Sequence, residues 1–310
     1  MKKLIVGMMA AAFALGAFCE GEDNNPLIVS DNLFGSIKLD TKSEFTMVAA
    51  PFEGFASQFE DSKVDLTQTS VANTILVRDV VAVEKLIDTD TLSVFNPAAT
   101  DDKTEFDNYI ARLAQVKIGK VTYSYMEWLA SMWFEEETMI SHKFDDPDKR
   151  LVPTGSGVFI GRDVDKIPSN GFSIYAYGQI PQSFPTDPIE IGTGKTMLCP
   201  PGELAYADVD LNKDVTFGGD IIEVSGRVGT VNGVPALRPT TDSLAGADRI
   251  KFYRCTGVKA QECTLYRCNN VWYGFEGTTT ARGYANLAVI PAGQSFWFIK
   301  GGSGTATLQW

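Results

Sequence analysis

The sequence predicts a mainly β protein built from two tandem, diverged copies of one β-sandwich or small-barrel domain. Three observations predict it. Blocks of sequence recur in the same order in the two halves, short β-branched and aromatic runs are bounded by turn residues, and only one segment has helical spacing. Because so few helices are available as crossovers for a parallel sheet, we expect chiefly antiparallel strands.

The first 19 residues have the organisation of an export signal. Lys2 and Lys3 precede an uncharged run over residues 4–18, which ends before Glu20. A spanning helix needs about 20 apolar residues, so a cleaved signal is favoured over a permanent membrane anchor. Lipid attachment at Cys19 is disfavoured because a bulky residue precedes it. We therefore expect an extracytoplasmic protein that is secreted, periplasmic or on the cell surface.

The chain is acidic, with 27 Lys+Arg against 39 Asp+Glu and a formal net charge of −12. Removal of residues 1–19 takes away two lysines and gives a net charge of −14. Such a surface repels phosphate backbones, so nucleic acid is not expected as a partner. The rest of the chain suffices for two domains at about 150 residues each.

Four blocks of sequence recur in the same order, which indicates an internal duplication. The matched blocks begin at Thr46 and Thr196, at Val64 and Val209, at Asp90 and Asp248, and at Leu151 and Val289. The second half is longer before its Asp248 block, and the first is longer by 20 residues after its Asp90 block. A proline-rich stretch over residues 178–188 divides the chain into domains 20–186 and 187–310.

Local patterns predict several strands and one helix. Short β-branched or aromatic runs at residues 74–77, 221–224, 250–253 and 296–299 are typical of strands. Apolar residues at helical spacing over residues 124–137 predict a helix in the insertion of the first half.

Each half also contains a Pro-x-Gly turn that leads into an apolar strand, at residues 153–160 and 291–299. Proline fixes one turn angle and glycine accepts a positive φ, so the turn can begin a strand sharply. Trp297, with Trp272 and Tyr273, is a candidate aromatic platform for sugar rings. Core packing is the favoured alternative, because the first half keeps apolar residues at the positions that match Trp297.

The segment IPAGQSFWF, the paired turn-and-strand blocks and the export signal resemble a group of uncharacterised exported bacterial proteins. Those proteins carry duplicated β domains, each with a late PAG-x-x-FW-like strand. The resemblance spans most of the mature chain. The first half departs from the motif, with Thr154 in place of the alanine and Val158-Phe159 in place of Phe-Trp. The resemblance implies fold and export, and it implies no activity or catalytic residue.

Four cysteines lie beyond the signal, all in the second half: Cys199, Cys255, Cys263 and Cys268. An exported location permits disulfides. A bridge within residues 255–268 is predicted, although four cysteines allow three pairings. A four-thiolate zinc site is the alternative, but intervals of 55, 7 and 4 residues lack its close cysteine pairs.

Motifs that suggest catalysis are incomplete. The GTGKT segment at residues 192–196 has Ile189 where a phosphate-binding loop has its first glycine. The single histidine, His142, is not accompanied by a serine with the nucleophile-elbow spacing found in Ser-His-Asp hydrolases. The aspartates within residues 145–148 lack the spacing of an EF-hand. We therefore predict no catalytic residue, cofactor or metal ligand.

Two functions fit these observations. The first is a non-catalytic structural or partner-binding protein of the bacterial surface or extracellular matrix, with a protein or glycan partner. The alternative is a carbohydrate-binding or carbohydrate-active protein that uses the aromatics and acids after Asn96. A deep pocket joining two carboxylates to an aromatic floor would favour the alternative.

Overall fold

The computed structural model describes residues 34–51, 74–77, 90–96, 105–118, 120–131, 155–179, 187–276 and 282–310. These residues form antiparallel β-sheets, and their helices are 3-10 turns of three to five residues. The mainly β, antiparallel fold predicted from the sequence is therefore confirmed. The predicted export signal, His142 and residues 145–148 lie outside the described residues.

The first half contains eight described strands in two sheets. They are β1 (Phe34–Thr41), β2 (Phe45–Ala50), β3 (Thr74–Val77), β4 (Thr91–Phe95), β5 (Phe106–Ile118), β6 (Val121–Ser131), β7 (Ser156–Gly161) and β8 (Phe172–Gln179). One sheet has the order β2-β7-β4-β5-β6, and the other has the order β1-β8-β3. A 3-10 turn at Val164–Lys166 joins β7 to β8.

The second half contains thirteen described strands. They are β9 (Ile189–Ile191), β10 (Gly194–Leu198), β11 (Val209–Asp210), β12 (Thr216–Gly219), β13 (Gly226–Val231), β14 (Val234–Pro239), β15 (Arg249–Arg254), β16 (Gln261–Cys268), β17 (Val271–Glu276), β18 (Gly283–Tyr284), β19 (Val289–Ile290), β20 (Phe296–Lys300) and β21 (Ala306–Gln309). The 3-10 turns are Gly202–Tyr206, Thr241–Ser243 and Ala285–Leu287.

Three sheets organise these strands. The largest has eight strands in the order β10-β20-β15-β16-β17-β18-β14-β13, the second has the order β12-β21-β9, and the third pairs β11 with β19. Within the described residues, each of the five sheets takes its strands from one side of residue 187.

The two halves arrange their corresponding strands in the same order. The order β2-β7-β4-β5-β6 of the first half matches β10-β20-β15-β16-β17 of the second, and β1-β8-β3 matches β9-β21-β12. The register also agrees at positions that the sequence blocks align. The agreeing cross-strand pairs are Met47–Phe159 with Met197–Trp297, and Leu92–Ile160 with Ile250–Phe298.

The predicted helix at residues 124–137 is wrong over the part that the structure describes. Residues 124–131 belong to β6, which pairs with β5 from Asn108 opposite Ser131 to Ile118 opposite Val121. Over a short stretch, apolar residues three and four positions apart fit both a helix and a strand. The β-branched and aromatic residues near the start of β6 favour the strand. Residues 132–137 lie outside the described part.

The strand predicted at residues 221–224 is also wrong, since β12 ends at Gly219 and β13 begins at Gly226. The backbone of this segment bonds elsewhere. The Ile222 N–H donates to the Asp248 carboxylate, and the Val224 N–H donates to the Arg267 carbonyl. The strands predicted at residues 74–77, 250–253 and 296–299 are confirmed.

The glycines of both Pro-x-Gly turns have the positive φ that the sequence predicted. Gly155 has a φ of 82° and Gly293 a φ of 75°. These glycines precede β7 and β20, which are the second strands of the two largest sheets. The turns thus place the late apolar strands at corresponding positions in the two halves.

Candidate functional site

The candidate site, within the described residues, is the junction between the two halves. It is centred on β7 and β20, whose Phe159 and Trp297 side chains are 4% and 7% exposed. Their ring centroids lie 5.9 Å apart. Phe159 and Met47 of the first half belong to the same buried cluster as Trp297 and Met197 of the second. The halves therefore share part of one hydrophobic core.

Further aromatic rings from the first half close around this centre. Phe45 stacks on Phe159 with ring centroids 4.4 Å apart. Phe95 and Trp297 form a T-shaped pair with ring centroids 4.6 Å apart. Such geometries contribute about 0.5–1.5 kcal/mol for each pair beyond the burial of apolar area.

Backbone hydrogen bonds between the halves are reciprocal. The Ala49 N–H donates to the Gly293 carbonyl at 2.8 Å, and the Cys199 N–H donates to the Gly155 carbonyl at 2.9 Å. Ala49, near the end of β2, and Cys199, directly after β10, occupy matching sequence positions, as Gly155 and Gly293 do before β7 and β20. In a twofold arrangement of like units, a contact from i to j is accompanied by one from j to i. The two bonds have this form.

Two corresponding residues also meet directly. A Cβ on Gly157 would overlap the Ser295 side chain and lie 2.9 Å from the Val48 carbonyl oxygen. Gly157 and Ser295 occupy matching places in the two turn-and-strand blocks. The glycine therefore permits the close approach of β7 to the segment that leads into β20.

Each half contains a buried acid–base pair at matching positions. Asp90 pairs with Arg162, and Asp248 pairs with Lys300; both acids are 0% exposed. In each case the acid directly precedes the strand beside the late apolar strand, and the base follows or ends that late strand. Breaking such a pair leaves an uncompensated buried charge. We therefore assign these residues a role in sheet packing and not in substrate binding.

The three aromatic residues considered as a sugar platform are all in the core. Trp272 is 1% exposed, Tyr273 2% and Trp297 7%. Trp272 and Trp297 belong to one buried cluster and Tyr273 to another, because Trp272 and Tyr273 point to opposite faces of β17. A stacking platform needs an open ring face, and the structure gives these rings the packing role instead.

The predicted disulfide is not formed: Cys199, Cys255, Cys263 and Cys268 are all free and buried. Cys255 follows the last residue of β15, and Cys268 lies at the far end of β16, where it faces Val271. The sequence predicted a bridge within residues 255–268, but β16 separates these two cysteines along the sheet. Among the described residues, no group of three or more His, Cys, Asp or Glu could hold a metal ion.

Burial makes these thiols poor nucleophiles. It raises the pKa of Cys199 to about 12 and that of Cys263 to about 11. Burial also raises the pKa of Cys255 and of Cys268. The thiolate is the reactive form of cysteine, so each of these side chains remains protonated and unreactive at neutral pH.

A cavity of about 530 Å³ lies beside the junction. Its lining includes two acidic residues and one basic residue, together with amide and aliphatic residues: Asp40, Asp208, Arg254, Asn286, Gln294, Leu39 and Leu287. Gln294 is 3% exposed, and its carboxamide oxygen has no hydrogen-bond partner among the described residues. Asp208 accepts a bond from the Ala292 N–H at 2.9 Å. The lining therefore combines two acidic residues and one basic residue with an aliphatic floor.

The GTGKT segment forms a tight connection between two strands. Residues 192–193 join β9 to β10, and Gly194 begins β10 with a φ of 98°. The Lys195 ammonium lies 2.6 Å from the Glu105 carboxylate of the first half. This lysine therefore pairs with an acid across the junction.

The sequence reasoning missed the hairpin formed by β13 and β14 at the end of the largest sheet. Its turn is Asn232-Gly233, with φ values of 51° and 81° and Val231 opposite Val234. An Asn-Gly dipeptide between short apolar runs is the strongest local signal for a hairpin. The same register places Arg227 directly opposite Arg238.

Among the described residues, no helix is both long enough and apolar enough to cross a membrane. Neither the protein-family models nor the curated protein sequences with which this chain was compared give a match.

Proposed function

We propose that this chain is an exported, non-catalytic structural or partner-binding protein, made of two diverged copies of one β domain that are fastened to each other about an approximate twofold axis. The observation that carries the proposal is the reciprocal junction. Its Ala49–Gly293 and Cys199–Gly155 hydrogen bonds and its shared core use the turn-and-strand motif of both halves.

The duplication is supported by agreement at several levels. Strand order, cross-strand register and the buried acid–base pairs all correspond at positions that the repeated sequence blocks align. Unrelated domains of similar class have no reason to agree in all three. Two diverged copies of one ancestral domain account for them together.

A structural role is supported by where the reactive side chains lie. The fully buried acids pair with a base in the same half, and the thiols are kept protonated by burial. The aromatic residues that could have bound sugars pack in the core. In these positions the acids, thiols and aromatic rings are part of the packed interior.

Carbohydrate binding is a second candidate, favoured by one observation. The cavity beside the junction is lined by Asp40, Asp208 and Arg254, and by Gln294, whose carboxamide oxygen has no partner among the described residues. Sugar hydroxyls could donate to these acceptors. Its aliphatic floor lacks the aromatic surface on which sugar rings commonly stack, so we rank this function second.

A glycan array combined with a broad glycoside-hydrolase screen separates the two candidates. The mature chain should hydrolyse no glycan in the screen. Asp40→Asn and Asp208→Asn should each leave the array and hydrolase results unchanged. Hydrolysis that either substitution abolished would overturn the non-catalytic proposal. Glycan binding lost in both variants without hydrolysis would select the second candidate.

Export is tested by fractionation of cells that produce the full chain. We expect the protein outside the cytoplasm, with a new amino terminus near residue 20. A cytoplasmic protein that retained residues 1–19 would contradict this part of the proposal.

A further inference from the structure

The hairpin formed by β13 and β14 ends the eight-stranded sheet, and its outer strand is open. Residues 226–230 are all exposed, and among the described residues β13 pairs only with β14. Open sheet edges are usually protected by lysine, proline, a bulge or a covering segment, because they can pair with other chains. Within Gly226–Val231 only Arg227 is charged, and proline is absent from the strand.

The register shows which backbone groups of β13 face outward. In a two-residue hairpin, Val231 and Val234 form the hydrogen-bonded pair, and hydrogen-bonded and non-hydrogen-bonded pairs then alternate. Pro235 and Pro239 face Thr230 and Gly226 at non-hydrogen-bonded positions, where a missing N–H costs the hairpin nothing. The N–H and C=O groups of residues 226, 228 and 230 therefore point away from β14.

The charge on this hairpin is opposite to that of the whole chain. Residues 226–239 contain two arginines and no acid, whereas the chain has a net charge of −12. Arg227 and Arg238 lie directly opposite each other, both are exposed, and neither forms a salt bridge with another described residue. Like charges at directly opposed positions destabilise a hairpin, so a bound anion would relieve a repulsion that is already present.

The other face of β13 offers an apolar contact. Val228 is 42% exposed, although it lies opposite Leu237, which is 0% exposed and belongs to the core. Alternation along the strand puts Val228 on the face opposite to Arg227. A strand added beside β13 would cover Val228 and could place acidic side chains near the arginines.

We propose that β13 binds an extended acidic peptide segment as a ninth strand of this sheet. Backbone hydrogen bonds to residues 226, 228 and 230 would hold the segment, carboxylates on one of its faces would pair with Arg227 and Arg238, and apolar side chains on the other would cover Val228. The open backbone edge favours a polypeptide over an acidic polysaccharide. The inference rests on the proposed partner-binding function and names the class of partner.

The test uses the fluorescein-labelled peptide acetyl-TVEVEVT-amide and fluorescence anisotropy with the full mature chain. We expect saturable binding that weakens as salt is added, because the arginines are exposed. The R227S/R238S variant should bind at least tenfold more weakly. The matched control R282S/K259S removes two exposed positive charges elsewhere in the second half and should bind as the unsubstituted chain does.

Two altered ligands test strand addition without any change to the protein. One peptide is N-methylated at its odd-numbered residues and the other at its even-numbered residues. Each keeps its charges and loses the N–H donors along one edge of the strand, so one of the two peptides should not bind. The lysine peptide acetyl-TVKVKVT-amide should not bind. Equal binding by both N-methylated peptides, no effect of R227S/R238S, or no binding of the acidic peptide would each overturn the inference.

Polygalacturonate provides the polysaccharide comparison. It should compete only weakly with the acidic peptide, and competition at the same carboxylate concentration would assign the site to acidic glycans and overturn the inference. None of these outcomes depends on the glycoside-hydrolase screen, so failure of this site and failure of the non-catalytic proposal are distinguishable.

Discussion

The two halves place a buried carboxylate at the same point of the fold and neutralise it in different ways. In the first half, Arg162 donates to both oxygens of Asp90 at 2.7 Å through Nε and Nη2. Its guanidinium carbon also lies 3.9 Å from the centroid of the Phe172 ring. The arginine therefore supplies a two-pronged hydrogen bond and a cation–π contact.

In the second half, Lys300 takes the place of the arginine. Its ammonium lies 3.1 and 3.0 Å from the two oxygens of Asp248, which also accept the Gly301 N–H at 2.7 Å and the Ile222 N–H at 3.1 Å. Where β8 begins with Phe172, the corresponding β21 begins with Ala306, whose methyl side chain offers a guanidinium no ring to cover.

The difference teaches that the charge pair is the constant feature and that its surroundings select the base. Arginine fits where a planar group can stack, and lysine fits where backbone donors already satisfy part of the carboxylate. The position of Gly157 beside Ser295 gives the same lesson, since there two residues at matching sequence positions compete for one space.

The largest expected effect comes from removal of one buried carboxylate. Asp90→Ala and Asp248→Ala should each lower the free energy of unfolding by about 3–5 kcal/mol, because each leaves a buried positive charge without its partner. Urea denaturation measures the change. Asp40→Ala is the control, since Asp40 and its partner Lys38 have side chains 67% and 48% exposed, and it should cost less than about 1 kcal/mol. Equal costs at buried and exposed sites would contradict the comparison.

A methyl group at the meeting point of the halves should have the next largest effect. Gly157→Ala should cost about 1–3 kcal/mol, because its Cβ has no room beside Ser295 and the Val48 carbonyl. Ser295→Gly in the same chain should recover part of the loss, and a double-mutant cycle of urea midpoints measures this coupling. Additive effects of the two substitutions would mean that the residues do not share the space.

The buried thiols make stability depend on pH through the second half alone. Unfolded thiols ionise near pH 9, whereas burial raises the pKa of Cys199 to about 12 and that of Cys263 to about 11. The unfolded chain then binds fewer protons than the folded one, so the stabilisation is complete below pH 9 and is lost as pH rises above it. We expect a loss of about 1.4 kcal/mol per pH unit for each thiol.

Urea titrations between pH 8 and pH 11 test this loss against the C199A/C263A variant, which should show a shallower decline. Because both chains share all tyrosines and lysines, the difference between their slopes isolates the thiols. Identical slopes would show that the cysteines are not buried in solution.

The smallest expected effect concerns the β13–β14 hairpin, to which no described strand of the first half corresponds. Arg238→Thr should raise the free energy of unfolding by about 0.2–1 kcal/mol, because it removes a like charge opposite Arg227 and introduces a β-branched residue. Thermal unfolding at low salt measures the gain. A decrease in stability would mean that Arg238 has a favourable partner, and the gain should shrink in high salt.

Much of the architecture follows from local sequence. The strands at residues 74–77, 250–253 and 296–299 were predicted because β-branched and aromatic residues between turn residues favour strands, although the same pattern at residues 221–224 forms none. The positive φ of Gly155 and Gly293 follows from turn chemistry in the same way. Of the candidate site, the sequence supplied the matching blocks that the structure brings together at the junction.

What the sequence alone determined is therefore the class of structure, its antiparallel strands and its turn glycines, since these depend on neighbours a few residues away. The tertiary structure decided that residues 124–131 form a strand, that the cysteines stay apart, and that Asp90 finds Arg162 at a separation of 72 residues. Pairing between distant segments is set by which packing satisfies every buried group at once, and local patterns do not contain that information.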